Sequence, residues 1–275
     1  MLVFLVFASK LGLYTAALTG VGLLLHGAAA ITTSRRWFLI LGLGLVVAIA
    51  ARLTLLNAQL GGGLGAAFSP ETFSWIWPAN RLQAFAFVGG AGLMALSAIA
   101  RTGFLKLPAA IVIASGFALA GHTQGLDMPG LAPWLAGLHA LIVGFWIIAP
   151  FTLWPRTDLP EATIVARMER FSQIAVWSVP LIFVTGVWLA LRLTGSPTAL
   201  LTSPYGQLLL AKLVLASLAL AIGAWNKFRV TSMLAQNPAR GLISLKRALG
   251  ADIVLFASLL TLIAAATTFT GPGAA

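Results

Sequence analysis

Eight times along the chain an apolar run is long enough to cross a bilayer, near residues 3–30, 37–60, 82–100, 105–121, 133–153, 171–193, 206–226 and 248–269. One crossing needs about 20 mostly apolar residues to traverse a hydrocarbon core of about 30 Å. No soluble domain of useful size fits between the runs, and only 8% of residues are charged, against roughly 25% in an ordinary soluble domain. The predicted fold is therefore all-α: a polytopic membrane helix bundle of about eight spans, surrounded by lipid and read as one domain over residues 1–275. The first run begins without a basic segment, carries Lys10 in its middle and exceeds the length of a secretory h-region, so it is read as a span rather than a cleaved signal. The fourth run is the shortest, and Pro108 near its start suits a first-turn position.

Positive charge falls in alternate loops. Arg35 and Arg36 follow the first run, Arg101 and Lys106 the third, Arg156, Arg167 and Arg170 the fifth, and Lys227, Arg229, Arg240, Lys246 and Arg247 the seventh. The intervening loops hold Arg81 and little else. The positive-inside rule then puts both termini on the outer, periplasm-like side. The net charge of +11 is thus a topology signal, scattered over short loops rather than gathered into a nucleic-acid surface. The longest outer loop, 61–81, is expected to lie along the membrane with Trp75 and Trp77 in the interfacial belt.

Two of the three histidines stand on one predicted outer hairpin. His122 closes the fourth run and His139 lies inside the fifth, with Met128 in the loop between them. Neutral imidazole and soft thioether are transition-metal ligands, and the absence of cysteine removes thiolate sites and disulfides. The pattern fits either a metal site or two structural hydrogen bonds. Lys10, Arg52 and Lys212 share that outer depth. Either they snorkel to the interface on their aliphatic stems, or they attract an anionic partner or a loop carboxylate such as Glu71 or Asp127.

Towards the inner side lie His26, Asn226 and Asp252. Polar groups inside a span are costly and usually face the bundle interior, so these residues form either an inner pathway or an interhelical hydrogen-bond cluster. Nothing resembles a phosphate loop, a nucleophile with its base or a paired-carboxylate site. No catalytic residue and no organic-cofactor site is therefore assigned, and the chain is not expected to be an enzyme.

The segment Ser203-Pro204-Tyr205-Gly206, followed by Leu208, Leu209, Lys212, Ala224 and Asn226, resembles the signature of the copper resistance protein D (CopD) family. Gly121-His122, Leu138-His139, Trp146, Arg170-Phe171-Ser172, Thr185-Gly186 and Trp188 agree with it, and the similarity covers roughly residues 100–270. It departs at Gly144-Phe145-Trp146-Ile147, where members often carry Trp-Gly-Gly, and at Asp252, where a glutamate is common. The resemblance implies a multi-pass protein of the bacterial inner (cytoplasmic) membrane that moves a copper ion, Cu(I) or Cu(II), from periplasm to cytoplasm in copper homeostasis and resistance. Its implied partner is a periplasmic copper-binding protein of the CopC type. By position, His122 and His139 become the copper-handling histidines, with Tyr205, Lys212 and Asn226 as family positions. Two alternatives stay open: a haem-binding electron-transfer protein, and a factor that delivers copper to a membrane oxidase.

Overall fold

Helices α1 (Leu2–Ala28), α2 (Arg35–Leu60) and α3 (Pro70–Ile99) are followed by the short α4 (Lys106–Ser115). Then come α5 (Ala132–Ile147) running into α6 (Ala149–Thr152), α7 (Glu161–Thr194), the short α8 (Pro197–Thr202), α9 (Pro204–Trp225), α10 (Thr231–Gln236) and α11 (Pro238–Ala265). The computed structural model describes residues 1–31, 35–156 and 159–270, and no strand occurs among them. Among the described residues, seven helical stretches are long and apolar enough to cross a membrane. The chain is an all-α, multi-pass membrane bundle.

Four of the helix starts share one device. Ser69-Pro70, Ser196-Pro197, Ser203-Pro204 and Asn237-Pro238 each put a side-chain oxygen on a backbone N–H of the first turn, with proline at the first helical position. That position has no intrahelical partner for an N–H, so proline costs nothing there. At Ser69 the device moves a boundary. Residues 70–81, expected to be a loop lying on the membrane, are the first turns of α3, and Trp75, Trp77 and Arg81 ride on that helix.

The fourth run differs most from expectation. α4 has 10 residues, about 15 Å at 1.5 Å per residue, and it stops at Ser115 rather than continuing to residue 121. Beyond it the backbone proceeds in tight turns, with Phe117 N–H donating to Ala114 O and Ala118 N–H to Ser115 O. The close approach of Phe87 explains the glycine at the break: a Cβ on Gly116 would sit 2.5 Å from the Phe87 ring. Irregular backbone at membrane depth is tolerated where protein satisfies it. Here Gln83 Nε2 donates to Gly116 O at 2.9 Å and Gln124 Nε2 to Ala118 O at 2.6 Å.

α1 organises the bundle, packing against α2, α4, α5 and α11. One core cluster gathers α1 to α4 around Phe87, Met94, Leu45 and Ile113, and a second gathers α5 to α11 around Trp146, Leu234, Leu245 and Phe256. The two meet where α1 crosses α5. A side chain at Gly22 would collide with the Gly144 carbonyl, and one at Gly144 would come within 2.8 Å of Leu18 O. Small residues let membrane helices approach this closely.

Side-chain contacts tie the ends of the bundle into two faces. On one, Lys10 Nζ donates to Thr267 O, the His122 ring meets Tyr205, and Arg192 donates to Met128 O. This is the N-terminal face. On the other, Lys106 Nζ donates to Gly27 O at 3.0 Å and Arg170 to Ala30 O at 2.8 Å.

Candidate metal-handling site

His139 lies on the second turn of α5, and its Nδ1 is 2.9 Å from Thr185 Oγ1 on α7. The Thr185 hydroxyl also lies 2.7 Å from Leu181 O, one turn earlier. The next residue is glycine because the ring is pressed against it: a Cβ on Gly186 would stand 3.2 Å from His139 Cε1. Thr185-Gly186 is therefore a dock for the imidazole, with threonine fixing one nitrogen and glycine making room. The other nitrogen, Nε2, hydrogen-bonds no described residue. The Lys212 ammonium of α9 lies within Coulombic reach of the ring.

His122 is in the turn after Gly121, a residue with φ of 102° that only glycine adopts comfortably. It is not at a helix end, because α4 closes seven residues earlier. Its ring meets Tyr205 edge to face, with centroids 6.5 Å apart. Tyr205 is buried in the first turn of α9. His122 is exposed at its outer edge, yet the protein packed around its inner side, and secondarily the Lys10 ammonium, hold its pKa below the usual imidazole value. Near neutral pH it is an uncharged donor.

Met128, placed by the sequence with the two histidines, is 78% exposed, and its carbonyl accepts from Arg192 Nη2 at 2.8 Å. The three residues thus share the N-terminal face while each has its own neighbour: Tyr205 for His122, Thr185 for His139 and Arg192 for Met128. Among the described residues no three His, Cys, Asp or Glu side chains come together as a metal-holding group.

Lys10, Arg52 and Lys212 line up in depth. Each is eight residues from the N-terminal-face end of its helix, about 12 Å in at 1.5 Å per residue. His139, seven residues into α5, is at nearly the same level.

Towards the opposite face His26 is fully buried, with Nε2 2.9 Å from Phe145 O and Nδ1 2.7 Å from Thr152 Oγ1. A carbonyl only accepts, so Nε2 carries the proton and Nδ1 accepts from the threonine hydroxyl. Both nitrogens are engaged, and Phe145 and Phe171 pack on the ring. A metal at His26 would have to displace one of those bonds. Asn226 and Asp252 are of another kind. Both are buried on the packed α9 and α11 helices, and Asn226 Oδ1 and Asp252 Oδ1 accept no hydrogen bond from any described residue. Asn226 also opens a π-helical turn, Asn226–Val230, that joins α9 to α10. Such turns occur often at functional sites.

Tyr14, Thr152 and Ser178 contribute contacts that the sequence does not single out. Trp146 Nε1 donates to Ser178 Oγ at 2.9 Å, and Tyr14 Oη lies 3.5 Å from Thr267 Oγ1. A hydroxyl on an apolar helix carries no spacing signal, so only the fold reveals these partners.

Comparison with curated proteins and with solved structures finds no match. The family model for copper resistance protein D (CopD) matches residues 165–266, from the early turns of α7 to the turn that ends α11. That stretch contains Thr185, Gly186, Tyr205, Lys212, Asn226 and Asp252, and over it the chain is similar to the CopD family.

Proposed function

We propose that the protein moves copper ions across the bacterial inner membrane, from periplasm to cytoplasm, with His122 and His139 taking up the ion at the N-terminal face. One observation supports this reading most. Both histidines lie outside the stretch that matches the CopD model, and each packs against a residue inside it, His122 on Tyr205 and His139 on Thr185. The family segment grips the candidate ligands.

A His139 Nε2 left free by the bond at Nδ1, and an uncharged His122, suit a cation that must bind and then leave. Sparse ligation favours release over storage. Met128, exposed on the neighbouring loop, is a thioether for the first encounter with the ion or with a periplasmic donor protein of the CopC type. The uncapped oxygens of Asn226 and Asp252 are the polar stations towards the other face, whereas His26 serves packing.

Copper uptake into sealed proteoliposomes tests the proposal, with bound copper measured on the same preparation. Wild-type protein is expected to accumulate copper, and His122→Ala with His139→Ala to abolish accumulation and most binding. Unchanged uptake in the double variant would sink the assignment. Binding without accumulation in the wild type would favour delivery to a membrane oxidase, and a Soret band in the purified protein would favour haem.

A further inference from the structure

We propose that the N-terminal face carries an anion site, in which Arg52 of α2 with Lys10 and Tyr14 of α1 binds a single carboxylate or phosphate group. Arg52 Nη1 is buried and donates to no described residue. A guanidinium stays charged in any protein environment, and Arg52 is half-buried with one nitrogen shut away from any acceptor, an arrangement that is costly unless a partner supplies one. Lys10 lies close enough to Arg52 for the two charges to repel, and Tyr14 is within Coulombic reach of Arg52.

The chain supplies no described counter-charge there. It has six acidic residues. Glu71 and Asp127, the two on this face, are both exposed, while Asp252 is buried towards the other face. Lys10 turns its ammonium to the Thr267 carbonyl instead, and Tyr14 Oη lies beside the Thr267 hydroxyl. The Arg52 guanidinium is thus the group with an unmet donor, and Lys10 and Tyr14, near enough to act on its charge, already have partners at Thr267. A water would satisfy one N–H and leave the charge, and a cation would add to it. An anion satisfies both, with the guanidinium fork matched to two oxygens of one carboxylate or phosphate. The oxygens come either from a lipid headgroup, since the site is about 12 Å from the helix ends, or from a soluble anion.

The experiment uses full-length protein in neutral detergent with a metal chelator present, so that its failure leaves the copper proposal untouched. Thermal unfolding is followed by tryptophan fluorescence during two titrations: inorganic phosphate against chloride at constant ionic strength, and short-chain phosphatidylglycerol against phosphatidylcholine. A saturable rise in Tm with phosphate identifies a soluble anion, and a rise with phosphatidylglycerol alone identifies a headgroup. In either case Arg52→Gln is expected to raise the half-saturating concentration at least tenfold. Lys10→Gln should do so to a smaller degree, and it decides the matter if Arg52→Gln does not fold. No saturable rise in either titration, or the same half-saturation in wild type and variants, overturns the proposal.

Discussion

His26 and His139 are both intramembrane histidines on apolar helices, and their surroundings give them opposite characters. His26 has both nitrogens bonded and aromatic rings on its faces. His26→Ala should therefore lower stability by about 2 to 4 kcal/mol, from lost packing and two orphaned partners, with little change in copper stoichiometry. Thermal unfolding and metal analysis of one preparation would show both. His139 has one nitrogen fixed by Thr185. Partners that orient a ligating histidine typically contribute 10- to 100-fold to metal affinity, so Thr185→Val is expected to weaken copper binding about tenfold while leaving the fold intact, as a copper titration would report. His122 supplies a pH test. Its lowered pKa keeps the ring neutral further into acid than a free histidine, so its share of copper binding, the difference between wild type and His122→Ala, should persist below pH 6.5 and vanish only on further acidification. The sequence marks all three histidines but not this division of labour, which depends on Thr152, Thr185 and Tyr205 reaching them from helices far apart in the chain.

α4 shows how far apolar length alone can be trusted. Residues 105–121 read as a span because hydropathy does not register that the backbone leaves the helix after Ser115 and continues in tight turns. The early start of α3 was visible in principle, since Ser69, Pro70 and Glu71 form a helix-start signal, but the tryptophans and Pro78 that follow resemble an interfacial loop. The broken end of α4 gives a direct expectation. Gln83→Leu removes the donor that satisfies Gly116 O, and an unsatisfied buried carbonyl costs about 1 to 3 kcal/mol, a loss that thermal unfolding in detergent would register. At the α1–α5 crossing, Gly22→Leu would force apart helices that meet backbone to backbone, and the variant is expected to yield little folded protein by size-exclusion chromatography.

For the molecule as a whole, the order of the spans and the alternation of basic loops were legible from composition, because bilayer thickness and loop charge are one-dimensional constraints. The joining of the helices was not. The natural lack of cysteine makes the orientation easy to test: single cysteines at Gly65 and at Gly103, exposed in connections on opposite faces, should react with an impermeant maleimide added outside intact cells at Gly65 only. The common level of Lys10, Arg52 and Lys212 extends the consequence to the lipid. α1, of 27 residues, is about 40 Å long against a core of about 30 Å, so in an average bilayer the helix end stands clear and Lys10 is only a few ångströms below the boundary. Each lengthening of the acyl chains buries all three cations together. The protein should thus sense hydrophobic thickness, being most stable in thin bilayers and losing stability stepwise as the lipid tails grow from 14 to about 20 carbons.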